Sequence, residues 1–236
     1  MEVEILEQLD KSNFDQDLQG EKIVGEFLNE IFYDSAFLDY RRVENKIEQF
    51  RGVDVVAYTE NGDFINIDEK VQLTQLGNPT PSFAFEIQHL NRKKETVDGW
   101  LLKDNDTDYY LLGYFNEMNG NVKVLTNAEQ IKEFEFVYVS KARIAQFLTQ
   151  KGYNREFLRN ESAKLKEVID QGGELPSEYE SRRTGYRRVL ENGVNLFYTT
   201  YLVEKPLNVV IHRRHLDKLA TLIVRYKDGN IEYVKN

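Results

Sequence analysis

The run from Gly52 to Gln72 constrains this chain more than any other stretch. Val53-Asp54-Val55-Val56 and Ile65-Asn66-Ile67-Asp68-Glu69-Lys70-Val71 are rich in β-branched residues, and the segment between them, Thr59-Glu60-Asn61-Gly62-Asp63, is a turn signal. Together they predict a β-hairpin. Side chains alternate along a strand, so Asp68, Lys70 and Gln72 share one face with Asn66, and Ile65, Ile67 and Val71 take the other. Two registers are open. If Glu60-Asn61-Gly62 is a three-residue loop with Gly62 in the left-handed region, Thr59 faces Asp63 and Asp54 falls opposite Asp68. If Asn61-Gly62 is a two-residue turn, Asp54 faces Glu69 and Lys70 moves to the other side. The first register is preferred, because it gathers two acids and a lysine while leaving Ile65 and Ile67 for a core.

Two converging carboxylates and a lysine suit phosphodiester hydrolysis. Such a pair can hold Mg²⁺, a hard cation that takes few protein oxygens and keeps waters. The ion lowers the pKa of a bound water and clamps phosphate oxygens, and a lysine beside it can orient or activate that water. Asp54, Asp68 and Lys70 are the candidate catalytic residues, with Mn²⁺ a substitute for Mg²⁺. Gln72 extends the same face toward water or DNA. A hairpin whose charges are merely solvated is the bland alternative.

The pattern resembles the PD-(D/E)XK nuclease superfamily over roughly residues 20 to 150. Asp54 matches its first acid and Asp68-Glu69-Lys70 its (D/E)xK; Val53 stands where the superfamily often has proline. The resemblance implies an α/β fold, a restriction-endonuclease-like mixed central sheet flanked by helices. It implies a Mg²⁺-dependent endonuclease acting on DNA in restriction, defence or repair, with the Glu69 carbonyl added to Asp54 and Asp68 as a metal ligand. A helix before the hairpin often supplies a further acid in this superfamily. Gly25-Glu26 fits that spelling, and Glu30, one turn on, lies nearer the apolar arc; Glu26 is chosen. Cutting both strands would imply a homodimer.

At 236 residues, the chain has room for one sizeable domain with an appendage. With 41% hydrophobic and 30% charged residues it reads as soluble. No apolar run approaches the ~20 residues of a membrane span. The absence of cysteine excludes disulfides and thiolate metal sites, and with an acidic N-terminus lacking a signal-peptide pattern it points to the cytoplasm. No nucleotide-cofactor motif is evident. The net charge of −9 is uneven: residues 1–140 hold 13 Lys and Arg against 28 Asp and Glu, whereas residues 141–218 hold 15 against 10. An acidic half for a metal and a basic half for phosphates is an arrangement a nuclease can use.

Along the chain, Ile5, Leu6 and Leu9 form a weak helical stripe, and a helix is predicted from about Glu21 to Tyr33. Strands are expected near 53–58, 64–72, 82–87, 109–115 and 134–139, with helices over 88–98, 142–150 and 155–169 and a break at Gln171-Gly172-Gly173. Gln88 and Glu86, the latter free to pair with Arg92 or Lys93, are further polar candidates near the site. The C-terminal hairpin, Thr221–Tyr226 and Ile231–Val234, is expected to join Val209–Ile211 in a small sheet. The expected division is a nuclease core over 1–152 and a basic C-terminal α+β extension over 153–236.

The expected DNA grip is basic. Arg182, Arg183, Arg187 and Arg188 surround Thr184-Gly185-Tyr186 in what reads as a flexible, phosphate-wrapping loop, and Arg213 and Arg214 lie between His212 and His215. Two function classes compete with the nuclease: a non-catalytic nucleic-acid-binding protein on a degenerate nuclease core, and an oligomerisation or phage-interaction protein whose acids are solvated.

Overall fold

The computed structural model describes residues 19–91, 93–170 and 176–235. The stripe at Ile5, Leu6 and Leu9, the break at 171–173 and any pairing of Arg92 lie outside them. The chain forms two compact units. Neither is contiguous: the first comprises Met1–Thr80, Thr107–Val139 and Ala220–Asn236, the second Pro81–Asp106 and Ser140–Leu219. This replaces the expected boundary at 152/153.

The first segment carries helix α1 (residues 19–36), strand β1 (Asp39–Arg42), helix α2 (Lys46–Phe50) and the hairpin of β2 (Val55–Tyr58) and β3 (Phe64–Val71). The chain next forms β4 (Ser82–Leu90) and β5 (Thr96–Asp98) of the second unit, then β6 (Tyr109–Met118) and β7 (Ile131–Ser140) of the first. Helices α3 (Lys141–Gln150) and α4 (Arg155–Asp170), strands β8 (Tyr179–Arg182), β9 (Gly185–Glu191), β10 (Val194–Thr199) and β11 (Leu207–His212), and helix α5 (Arg213–Leu219) complete the second unit. Strands β12 (Leu222–Lys227) and β13 (Asn230–Lys235) return to the first.

The first unit is a mixed α/β structure on a seven-stranded sheet in the order β1-β2-β3-β6-β7-β12-β13. β1, β2 and β3 are antiparallel in turn, and β3 runs parallel to β6. β6 is apolar over most of its length because both its faces are covered; Tyr110, Leu111, Leu112, Tyr114 and Phe115 are all buried. One face of the sheet receives α1. Its stripe of Val24, Phe27, Leu28, Ile31 and Phe32 packs with Val55, Ala57, Ile67, Leu111, Phe134 and Phe136. Edge-to-face aromatic pairs, such as Phe27 with Phe134 at 5.7 Å between centroids, fix the helix there.

The hairpin takes the three-residue loop. Tyr58 pairs with Phe64, Thr59 N–H donates to Asp63 O at 2.9 Å, and Gly62, at φ +85°, donates to Thr59 O. A side chain at Gly62 would meet nothing, so glycine serves the backbone angle alone.

The second unit carries a six-stranded sheet, β5-β4-β11-β10-β9-β8, antiparallel throughout. The strand expected over 82–87 is therefore part of this sheet. The helix expected over 88–98 is absent: β4 continues through Leu90, a turn closes with Lys94 at φ +62°, and β5 follows. Its polar-apolar alternation, Glu86-Ile87-Gln88, has a strand's period of two, and the basic residues that suggested a helix mark the turn. The C-terminal hairpin pairs with β7, not with β11. Among the described residues no helix is long and apolar enough to cross a membrane.

Candidate active site

The site lies at the open end of the hairpin. At the loop end the β2–β3 ladder is regular, but at Asp54 it slips. Val55 lies opposite Ile67, and the N–H of Asp54 also reaches Ile67 O, at 2.9 Å. Two residues against one make a bulge, which bends a strand and re-aims a side chain. Asp54 is thus not directly across the ladder from Asp68, as the loop count alone implies. Its carboxylate Oδ2 instead accepts the backbone N–H of Glu69 at 2.8 Å, which still brings it against Asp68.

Asp68 is buried, 1% exposed. Its Oδ1 accepts the ammonium of Lys70, two residues along the same face. Its Oδ2 is also buried and takes no N–H or O–H donor from the described residues; the group within hydrogen-bonding reach of the Asp68 carboxyl, besides Lys70, is the carboxyl of Asp54. Burial pushes the Asp68 carboxyl up to about 7; Lys70 pulls against that, and the charge of Asp54 adds to it. For Lys70, burial favours the neutral amine, but Asp68 and Asp54 outweigh it and hold the ammonium above its usual range. Lys70 is therefore a cation at neutral pH.

Two neighbours were not legible in the sequence. Tyr110 lies beside Asp68 in the parallel β3–β6 register, and its phenol is pushed up by burial and then by the Asp68 charge. Glu21, on α1, is the helix acid whose charge acts on Lys70. Glu26 does not take that place: it is exposed and faces Lys22 at 4.0 Å. Glu30 is exposed as well. Gln72 turns to the loop that follows it, its Oε1 accepting Thr80 N–H at 2.9 Å.

Glu69 is divided. Its carbonyl lies 3.5 Å from the Lys70 ammonium, on the side of the acids. Its carboxylate points through the opposite face of β3 to Arg42, at 2.9 and 3.2 Å, and accepts the Tyr33 hydroxyl at 2.8 Å. Only the carbonyl can serve a metal.

These residues fit Mg²⁺ or Mn²⁺. The donors are hard oxygens, and a buried carboxylate oxygen without a donor needs a cation or a proton. Among the described residues no three His, Cys, Asp or Glu side chains converge. Two carboxylates and a carbonyl match an ion that binds through few protein groups and leaves positions for water and phosphate.

The arginines of the second unit are mostly committed. The expected flexible loop is a tight hairpin: Arg182 pairs with Gly185 across a two-residue turn, Arg183-Thr184. Arg188 turns inward to the buried Glu161 and lies over the Phe157 and Tyr179 rings. Arg187 donates to Asn195 Oδ1 at 2.9 Å, Arg182 pairs with Glu180, Arg213 with Asp217, and Arg214 with Asn192. Arg183 stands exposed at the tip. His212 and His215 do not share a ligand: His212 Nδ1 accepts Arg214 N–H, and His215 Nε2 lies 2.9 Å from Asn192 O. Gln88 bonds to Asp98 and Glu86 to His89 Nδ1 at 2.9 Å, both within the second unit.

Comparison of the chain with protein families, curated proteins and solved structures gives no match.

Proposed function

We propose that this protein is a Mg²⁺-dependent endonuclease that hydrolyses phosphodiester bonds in DNA on a restriction-endonuclease-like sheet. One observation carries the reading: Asp54 and Asp68, from the two strands of one hairpin, meet beside Lys70 around a buried carboxylate oxygen that no donor satisfies. The parallel β3–β6 pair and the helix packed behind the hairpin are in keeping with such a fold.

Asp54, Asp68 and the Glu69 carbonyl would hold the ion. When bound, Mg²⁺ supplies an acidified water and neutralises phosphate charge. In the metal-free site Asp68 and Asp54 hold Lys70 as the ammonium; from that position it can donate to the attacking water and to phosphate oxygens as the P–O bond breaks. Beside a bound cation the ammonium gives up its proton more easily, so Lys70 can either orient or activate that water. Of the four arginines expected in the grip, Arg183 stands exposed at the hairpin tip, whereas Arg187 and Arg188 are held within the fold.

The test is a cleavage panel of plasmid, linear, branched and single-stranded DNA, with RNA alongside, in Mg²⁺ and Mn²⁺. Metal-dependent cutting that Asp54→Ala abolishes is expected. Mg²⁺ or Mn²⁺ should also raise the melting temperature of the wild type and not of Asp54→Ala. No cutting of any substrate, with no metal response, would sink the assignment.

A further inference from the structure

The site's support lies on the opposite face of β3. Arg42, at the end of β1, donates from Nη1 to Glu69 Oε2 at 2.9 Å, from Nη2 to Glu69 Oε1 at 3.2 Å, from Nε to Asn29 Oδ1 at 2.9 Å, and from Nη2 to Gly25 O. Tyr33 completes the cluster with its hydroxyl on Glu69 Oε1 and its ring 5.5 Å beneath the guanidinium. Four of the five N–H donors of Arg42 are thus spent on α1 or on Glu69, in the planar fork geometry that only arginine offers.

The helix is shaped for this. Gly25, Asn29 and Tyr33 are spaced four apart, and a regular helix would drift by about 40° over each such step. The π turn at Asn29–Tyr33 is wider and gives part of that drift back, so all three face Arg42. A Cβ on Gly25 would lie 2.9 Å from Arg42 Cζ and Nη1, so glycine here admits the guanidinium. The Gly25-Glu26 spelling is explained by its glycine, not by its acid.

We propose that Arg42 is the positioning residue of the active site: by fixing the Glu69 carboxylate it holds the Glu69 peptide, whose N–H fixes Asp54 and whose neighbours are Asp68 and Lys70. The proposal rests on the nuclease reading for its effect on cutting, but not for its effect on Asp54. Arg42 touches neither substrate nor the reacting atoms.

The experiment uses the full chain in three variants. Arg42→Lys keeps a charge and loses the fork. Glu69→Gln keeps an acceptor for Tyr33. Gly25→Ala displaces the guanidinium without removing any charge, and helices accept alanine well. Each should fold, leave KM for DNA unchanged and lower kcat roughly 10–100-fold, the usual cost of losing a group that orients a metal ligand. Amide hydrogen exchange supplies a readout independent of cutting: the Glu69 N–H should exchange at least about tenfold faster in each variant, while Ala57 and Leu111 stay protected. Unchanged Glu69 exchange in Arg42→Lys and Gly25→Ala overturns the proposal, whatever the activity. A loss of kcat that only tracks a fall in melting temperature does the same. If the wild type cuts nothing while Glu69 exchange follows Arg42, the nuclease reading falls and the positioning of Asp54 stands.

Discussion

Each unit of the molecule buries an acid beside a base, and the two pairs are built differently. In the second unit Glu161 is 3% exposed and both its oxygens are met: Oε1 by Lys164 at 3.1 Å, Oε2 by Arg188 and by the Tyr179 hydroxyl at 3.3 Å. In the first unit Asp68 is buried as deeply, yet it has one cation for two oxygens and a second acid alongside. A satisfied buried ion pair is a structural part, and a half-satisfied one beside a like charge costs stability. The fold bears that cost at Asp68 and avoids it at Glu161, and sites that bind or react are where such costs are borne.

The widest separation between the two pairs lies in activity. Asp54→Asn, Asp68→Asn or Lys70→Ala should each cut DNA roughly 10²–10⁴-fold more slowly, with DNA binding by Lys70→Ala largely intact. A Lys70→Ala enzyme that cuts at the wild-type rate would break the distinction. The corresponding changes at Glu161 and Arg188 should leave kcat within about twofold in folded protein.

Stability should separate them next, with the opposite ranking. Arg188→Met leaves Glu161 buried with only Tyr179 and the exposed Lys164, and should cost roughly 3 kcal/mol in urea unfolding. Changing Glu161 to Leu as well should recover most of it, because a closed ion pair can be replaced by apolar contacts. A double variant as unstable as the single would mean that the pair contributes more than burial explains. Asp68→Asn should instead be neutral or stabilising while inactive.

The smallest effect is on pH. The Asp68 carboxyl is raised in the folded state from 3.8 to about 7, so the folded protein binds that proton more tightly than the unfolded chain. The resulting stability is fully present below the unfolded value and is lost as pH rises through about 7. With chelator present, the wild-type melting temperature should fall by a few degrees between about pH 6 and 8, and Asp68→Asn should flatten that slope. Mg²⁺ at the higher pH should restore part of the loss. A wild-type slope that Asp68→Asn leaves unchanged would place the raised carboxyl elsewhere.

Much of this was legible because it is local. Turn chemistry at Glu60-Asn61-Gly62 and the period-two alternation of β3 are properties of a dozen consecutive residues, and they mark the turn and the face shared by Asp68 and Lys70, with the three-residue register preferred among two. The apolar stripe of α1 and the span of α4 are visible for the same reason. What escaped depends on distant partners. Arg182–Arg188 reads as a phosphate grip until Glu161 and Asn195 are found beside it. Glu26 fits a motif by spelling, but helix rotation turns it to solvent. Arg42 carried no local signal at all.

By itself the sequence determined a hairpin at this place and the face that Asp68 shares with Lys70, because turn signals and side-chain alternation are settled within a few residues; of the two registers it left open, the structure takes the three-residue loop. Only the tertiary structure decided the bulge that aims Asp54, the turning of the Glu69 carboxylate to Arg42, the pairing of the C-terminal hairpin with β7 and the discontinuous boundary of the units. Those outcomes follow from which groups far apart in the chain can satisfy one another once water is excluded, and that is a property of the packed molecule.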